Sequence, residues 1–296
     1  MQLHYLMSKV LLIDIDSKIP NLALKKIEKY FKDKGDEVIW NNELFATIAD
    51  YIFVSCVFDW NKKKAQEFEG YNNALIGGSG YDIIKTLPNY LDAIKPRINI
   101  GFTTRGCIRK CPFCIVHEKE GKIKIEGDIY DIWDGKSKTI VLLDNNILAL
   151  QKHFKLICSQ LRKEKLKVDF NQGLDCRLLN EDIVNELKTI RTVDLRFAFD
   201  DSSYKKDVEK TIELFGKATP MWYVLVGFNT SFQNDLDRIN FLRAENQRTY
   251  VMRHKNCRNK KEYIALARWN NSPLWKNALS FEDFCKRNKY RLDNKE

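Results

Sequence analysis

GFTTRGCIRKCPFC, residues 101–114, sets Cys107, Cys111 and Cys114 in a C-x3-C-x2-C spacing directly after a short apolar run. Gly106 and Pro112 argue against a regular helix here, so the three thiols belong to an irregular loop. A loop can curl round a compact inorganic centre so that several thiolates converge on it. Two centres compete. Zinc normally closes with four ligands, and His117, three residues past Cys114, offers the fourth, although so short a segment makes that geometry awkward. A [4Fe–4S] cluster usually takes four thiolates, so three leave one iron open to a small molecule.

The loop follows the first of a series of strand-like segments. These are INIGFTT (98–104), TIVLLD (139–144), KVDFN (167–171), DLRFAFD (194–200), MWYVLVGF (221–228) and TYVMRH (249–254). Helical stretches at 147–165, 181–190, 203–216 and 231–246 separate them. Such alternation predicts an α/β fold with parallel strands. Six strand–helix units without internal repetition fit an open, partial (β/α)6 barrel better than a flat sheet. Sites in such folds gather at the carboxyl ends of the strands, which is where the cysteines fall. The barrel is expected over 95–260.

Ahead of it, KVLLIDID (9–16), the amphipathic PNLALKKIEKYFKDKG (20–35), EVIW (37–40), YIFVSCVF (51–58) and ALIGGSG (74–80) predict a small Rossmann-like α/β unit spanning 1–94. GGSG lacks the Lys-Ser/Thr ending of a phosphate loop and reads as a tight turn. Residues 261–296 read as a helical extension: a helix, a turn at NNSP and a second helix.

Apolar residues make up 44% of the 296, enough for a sizeable core. The longest apolar runs have strand length, and the first residues lack the features of an export signal, so the expectation is a cytoplasmic protein with no membrane partner. The net charge of +10 permits a nucleic-acid partner, but the lysines are dispersed and do not favour one. Eight cysteines in a chain of this size, three of them clustered, point to metal rather than disulfides.

The cysteine spacing, the aromatic Phe113 just before the last cysteine and the strands that follow resemble the signature of the radical S-adenosylmethionine (SAM) superfamily, over residues 95–255. The resemblance implies that Cys107, Cys111 and Cys114 hold a [4Fe–4S] cluster and that SAM chelates its open iron. One electron from a low-potential donor such as flavodoxin or ferredoxin would then cleave the sulfonium, and the resulting 5′-deoxyadenosyl radical would abstract a substrate hydrogen.

Carried over residue by residue, Phe113 meets adenine through its backbone. Asp144, Asn145 and Asn146 stand where the family often has Gly-Gly-Glu for the methionine ammonium, a departure from the pattern. Asn171 and Gln172 would bond the ribose, and Gly227 would let adenine approach. Arg196 would meet the SAM carboxylate and Asp200 the ribose or the substrate if their face of the strand points inward. If it points outward, Leu195, Phe197 and Phe199 line the interior instead.

The N-terminal unit resembles a shortened cobalamin-binding domain, but the Asp-x-His-x-x-Gly motif is absent, so it is expected to cover the active site rather than bind cobalamin. Asp175, Arg177, Asp201 and Arg253 at the barrel mouth suit a small polar substrate, such as a purine-like base. The whole chain, with its DNN and DFNQGLD segments, resembles a group of small radical SAM proteins that includes queuine lyases, which release 7-aminomethyl-7-deazaguanine by C–N cleavage. A radical SAM enzyme acting on a peptide or RNA, and a zinc-stabilised nucleic-acid-binding protein, remain the other readings.

Overall fold

The computed structural model describes residues 7–273 and 279–290. The ends of the expected N-terminal unit (1–6) and tail (291–296), and residues 274–278 after the NNSP turn, lie outside the described residues.

The first unit contains β1 (Lys9–Asp14), α1 (Leu22–Asp33), β2 (Glu37–Trp40), β3 (Tyr51–Ser55), α2 (Lys62–Gln66) and β4 (Ala74–Gly77). Its strands are all parallel, in the order β2-β1-β3-β4. β1 reads as a continuous apolar run because both of its faces are covered. Val10 and Leu12 pack on Leu24, Ile27 and Phe31 of α1, while Leu11 and Ile13 join Ile52, Val54 and Ile76 on the other side. The Asn21 side chain caps α1 by accepting from the Leu24 amide at 3.2 Å. The GGSG turn lies backbone to backbone across residues 56–58: a Cβ on Gly78 would strike the Cys56 carbonyl, and one on Gly80 the Phe58 backbone.

After the short α3 (Asn89–Asp92) the second unit begins. It runs β5 (Ile100–Gly101), β6 (Thr104–Arg105), α4 (Val116–Lys119), β7 (Lys124–Ile125), β8 (Thr139–Leu142), α5 (Gln151–Lys163), β9 (Lys167–Phe170), α6 (Glu181–Thr189), β10 (Arg191–Thr192), β11 (Arg196–Ala198), α7 (Lys205–Phe215), β12 (Met221–Val226), α8 (Phe232–Ala244) and β13 (Arg248–Arg253). Two parallel sheets result, β10-β9-β8-β5 and β11-β12-β13. The expected fourth strand (194–200) is present as Arg196–Ala198 and pairs with β12, while just before it an unexpected two-residue strand, Arg191–Thr192, pairs with β9. A parallel bridge between Leu174 and Phe197, with the Leu174 amide donating to the Arg196 carbonyl at 2.8 Å, joins the two sheets. The principal strands therefore succeed one another in chain order, and no closed barrel forms among the described residues.

One face of this sheet series is buried. Leu142, Val168, Phe197, Phe199, Trp222 and Val224 share a single core with Phe154, Ile157, Ile183, Val208 and Ile239 of the helices. The alternate residues Val141, Asp169, Arg196, Ala198, Tyr223 and Leu225 stay half-buried on the other face. Arg196, Ala198 and Asp200 thus share the open side of the sheet, and Phe197 and Phe199 face the helices.

The tail helix α9 (Lys261–Asn271) seals the free edge of β13. The Asn271 side chain accepts from the Val251 amide at 2.8 Å and donates to its carbonyl at 3.0 Å, doing for one residue what a further strand would do. α10 (Phe281–Arg287) packs against α9 through Phe281 and Trp269. Among the described residues no helix is long and apolar enough to cross a membrane.

Candidate functional site at the carboxyl ends of the second sheet

Beyond β5 the chain leaves the parallel sheet. β6 and β7 pair antiparallel, Thr104 opposite Ile125 and Arg105 opposite Lys124, and this short ribbon ties the neck of the cysteine loop. Only glycine fits at Gly106: its φ is +83°, and a Cβ there would stand 2.5 Å from the Lys122 carbonyl oxygen. Inside the loop the Cys107 amide donates to the Gly121 carbonyl at 3.3 Å and the Cys114 amide to the Cys111 carbonyl at 2.9 Å. All eight cysteines are free thiols, and the three of the loop are half-buried. Burial pushes the Cys114 thiol up, and the charges of Cys111, Cys107 and Asp200 push the same way against the Val116 amide.

The DNN triplet at the end of β8 is the template for this loop. The buried Asp144 carboxylate accepts from the Thr103 hydroxyl at 2.7 Å, the Thr104 hydroxyl at 2.6 Å, the Thr103 amide at 3.3 Å and the Thr104 amide. Burial still holds its carboxyl above the ordinary range, with these bonds pulling it back. Asn145 accepts from the Gly106 amide at 3.0 Å. The Asn146 side-chain nitrogen donates to Cys107 Sγ at 3.4 Å and to Asp175 Oδ2 at 3.1 Å, which leaves its buried Oδ1 without a partner. Three consecutive residues thus hold the loop's entry at Thr103–Thr104, Gly106 and Cys107.

Asp175 ties the loop to the end of β9. It accepts from Arg109 Nε at 3.0 Å, Arg177 Nε at 2.7 Å and the Arg177 amide at 3.3 Å, as well as from Asn146. Burial opposes its charge, but Arg177 and Arg109 more than offset this and hold its carboxyl below the ordinary range. Arg177 lies over the Tyr204 ring at 4.8 Å, and the Tyr204 hydroxyl accepts from the Asp200 amide at 2.6 Å. Asp200 Oδ1 accepts from the Leu225 amide at 2.9 Å, while Oδ2 has no hydrogen-bond partner among the described residues. Burial raises the Asp200 carboxyl; the Leu225 amide, Arg238 and Arg177 work against that shift.

Aromatic contacts carry the loop across to the last strands. The Phe113 ring meets Phe228 edge-on at 5.5 Å, and Phe228 meets His254 at 4.8 Å. A loop that leaves the first strand thereby touches a residue just beyond the fifth, which in turn packs on one just beyond the sixth.

Other expected residues lie apart or are already engaged. Arg196 is ion-paired with Asp169 and lies four residues before Asp200, ~13 Å along an extended strand. The absent Cβ of Gly227 points at the Cys257 side chain, and the Gly227 amide donates to Asp235 at 2.8 Å, so packing against the segment after β13 accounts for this glycine. Asn171 and Gln172 bond each other at 3.4 Å at the end of β9. Asp201 caps the turn at Ser202–Tyr204, and Arg253 donates to the Arg258 carbonyl at 2.5 Å. His117 lies on α4 with Nε2 3.8 Å from Glu118. Among the described residues no three His, Cys, Asp or Glu side chains already converge as a metal-ligand group.

The residues missed in the sequence are Thr103, Thr104, Arg109 and Tyr204. Arg109 lies inside the cysteine motif, the paired Thr103 and Thr104 stand just ahead of it, and Tyr204 carried no local signal. No protein-family model matches this chain, and no curated protein does.

Proposed function

We propose that the chain is a radical SAM enzyme whose partial (β/α)6 barrel holds a [4Fe–4S] cluster on Cys107, Cys111 and Cys114. The observation that carries this reading is the cysteine loop itself: three free thiols at the carboxyl ends of parallel strands, latched by Asp144, Asn145 and Asn146. The donor set fits the group. Soft thiolates suit an iron–sulfur centre, and His117 is turned toward Glu118. The orphaned Asn146 Oδ1 supplies a buried acceptor for the ammonium of SAM.

When bound, the cluster and SAM would supply a 5′-deoxyadenosyl radical for hydrogen abstraction. The chain's own residues bind and orient. Phe113, braced by Phe228, would present its backbone to adenine, and Asn171 and Gln172 would face the ribose, while the space at Gly227 is taken by Cys257. Arg196 compensates Asp169 on the open face and is the cation nearest to a role with the SAM carboxylate. Asp200 offers its free Oδ2 to the substrate, and Tyr204 and Arg177 keep it in place. Asp201 and Arg253 border that mouth. A small polar, nucleobase-like substrate follows from this carboxylate, and queuine is our lead, by resemblance of the whole chain to queuine lyases. The enzyme would draw its electron from flavodoxin or ferredoxin in the cytoplasm, where thiols stay reduced.

The test is anaerobic reconstitution with iron and sulfide, then incubation with SAM, a low-potential reductant and queuine, read by mass spectrometry. Formation of 5′-deoxyadenosine together with 7-aminomethyl-7-deazaguanine supports both levels. Deoxyadenosine with untouched queuine keeps the radical chemistry and rejects the substrate. A colourless protein that takes up zinc and no iron rejects the reading altogether.

A further inference from the structure

Cys107 differs from its two partners in the loop. Its sulfur receives two N–H···S contacts, from the Arg109 amide at 3.3 Å and from Asn146 Nδ2 at 3.4 Å. Cys114 meets one amide, that of Val116. The Arg109 contact is local and follows from the turn of the loop. The Asn146 contact comes from another strand, and its direction is fixed by a third. Asn146 Nδ2 lies between two acceptors, Cys107 Sγ and Asp175 Oδ2, so the amide nitrogen has to face them and the oxygen has to face away. The Asp175 carboxylate cannot move off, because Arg109 and Arg177 hold both of its oxygens.

We propose that Asn146 and Asp175 form a positioning pair that sets the electron affinity of the cluster at its Cys107 corner: the amide donates to the thiolate sulfur, and the carboxylate keeps the amide turned toward it. The inference rests on the cluster reading above. When one electron arrives from the external donor, the cluster and its thiolates gain one negative charge. A donor aimed at a ligating sulfur stabilises that added charge and so raises the reduction potential. Asp175 makes no contact with the sulfur and acts only through Asn146. Its charge is balanced by Arg109 and Arg177, so neutralising it also unmasks two cations, and its positioning role is read from its coupling to Asn146 rather than from the direction of its own shift.

The experiment compares wild type, Asn146→Leu, Asn146→Ser, Asp175→Asn and the double variant Asn146→Leu/Asp175→Asn after anaerobic reconstitution. Iron and sulfide are counted first, and the midpoint potential is then taken from an EPR-monitored redox titration. The expected result is full loading with a more negative potential in Asn146→Leu and Asn146→Ser. The shift that Asn146→Leu produces should be smaller in the Asp175→Asn background than in wild type, because the amide is no longer held toward the sulfur. Resonance Raman bands of the Fe–S(Cys) stretches should move with the potential, which a purely structural role would not produce. A loaded Asn146→Leu and a loaded Asn146→Ser at the wild-type potential overturn the inference and leave the cluster reading intact. Additive shifts in the double variant overturn the role of Asp175. A wild type that takes up no iron overturns the cluster reading and this inference with it.

Discussion

The two units of this chain end in the same way, with parallel strands presenting their carboxyl edge, yet they treat their polar groups differently. In the N-terminal unit Asp16, just beyond β1, accepts from the Val57 amide at 2.7 Å, the Phe58 amide at 3.0 Å and Asn61 Nδ2 at 3.0 Å. Cys56 is fully buried, its thiol pushed up to about 11 by burial and then by Asp16, and the GGSG turn lies directly over it. Both oxygens of Asp16 are thus taken up by the chain itself. In the second unit the polar groups are held just as firmly, but beside the three half-buried thiols Asn146 Oδ1 and Asp200 Oδ2 have no hydrogen-bond partner among the described residues. Fold and edge chemistry are shared. What separates the two is the three-cysteine loop of the second edge and the buried, unpartnered Asn146 Oδ1 beside it.

The sharpest break of that contrast is to remove one thiol from each edge. Cys111→Ala should abolish cluster binding and deoxyadenosine formation, because two thiols do not retain what three hold. Cys56→Ala should load iron like wild type. Iron content and anaerobic absorbance decide it, and equal loss in both variants would erase the distinction.

A second prediction concerns what keeps the second edge from collapsing. Beneath it lies a buried ion pair, Arg238 with Asp235 at 2.5 Å, in which Arg238 also donates to the Phe199 carbonyl and, at 2.9 Å, to the Leu225 carbonyl. Asp235 accepts from the Gly227 amide in turn, so the pair fastens the ends of β11 and β12, the ground on which Asp200 stands. Arg238→Met leaves Asp235 buried and uncompensated, and should cost about 3–5 kcal/mol in urea unfolding. Arg238→Met/Asp235→Leu should recover much of the loss, since a well-packed apolar pair removes the stranded charge.

Third, the two anchoring aspartates can be exchanged for amides. Asp144→Asn and Asp16→Asn each turn one acceptor oxygen into a donor facing donors, at a cost of about 1–3 kcal/mol each. The stability losses should therefore be similar, and only Asp144→Asn should also lower iron loading, because only Asp144 holds Thr103 and Thr104 at the neck of the cysteine loop. Equal loading in the two variants would detach the latch from the site.

These contrasts show what the residues alone made legible. Apolar runs such as KVLLID, and alternation as in β12, marked the strands, because burial on one or both faces leaves a period in the chain. The cysteine spacing marked the loop. The short β10 was not legible: Arg191–Thr192 is too brief to show alternation, and only its pairing with β9 marks it off from β11, which pairs with β12. Nor were the partners of Asp144, Asp175 and Arg196. Each is a polar residue at a strand end or on an open face, as a ligand-binding residue would be. Whether a carboxylate is spent on Thr103, on Arg109 or on nothing depends on contacts across 27 to 66 positions of chain, which carry no local pattern.

The smallest effect tests the contrast through protons. Glu28 in α1 is a spent carboxylate: burial opposes its charge, but hydrogen bonds from Lys25, Lys32 and Trp40 outweigh this and lower its pKa from 4.5 to about 2. A folded value below the unfolded one means stability that is present above pH 4.5 and is lost as pH falls toward about 2. Glu28→Gln should therefore be less stable than wild type at neutral pH, and the difference should close as pH drops through that window. Asp200 carries the opposite sign. Its carboxyl is raised above 3.8, chiefly by burial, so its ionisation opposes folding, and the associated stability is full below 3.8 and lost as pH rises through the folded value. Asp200→Asn should gain on wild type as pH climbs past that point. Urea midpoints of both variants across the acid range give two difference curves that slope in opposite directions, and curves of the same slope would mean that Asp200 is as fully partnered as Glu28 and holds no acceptor in reserve.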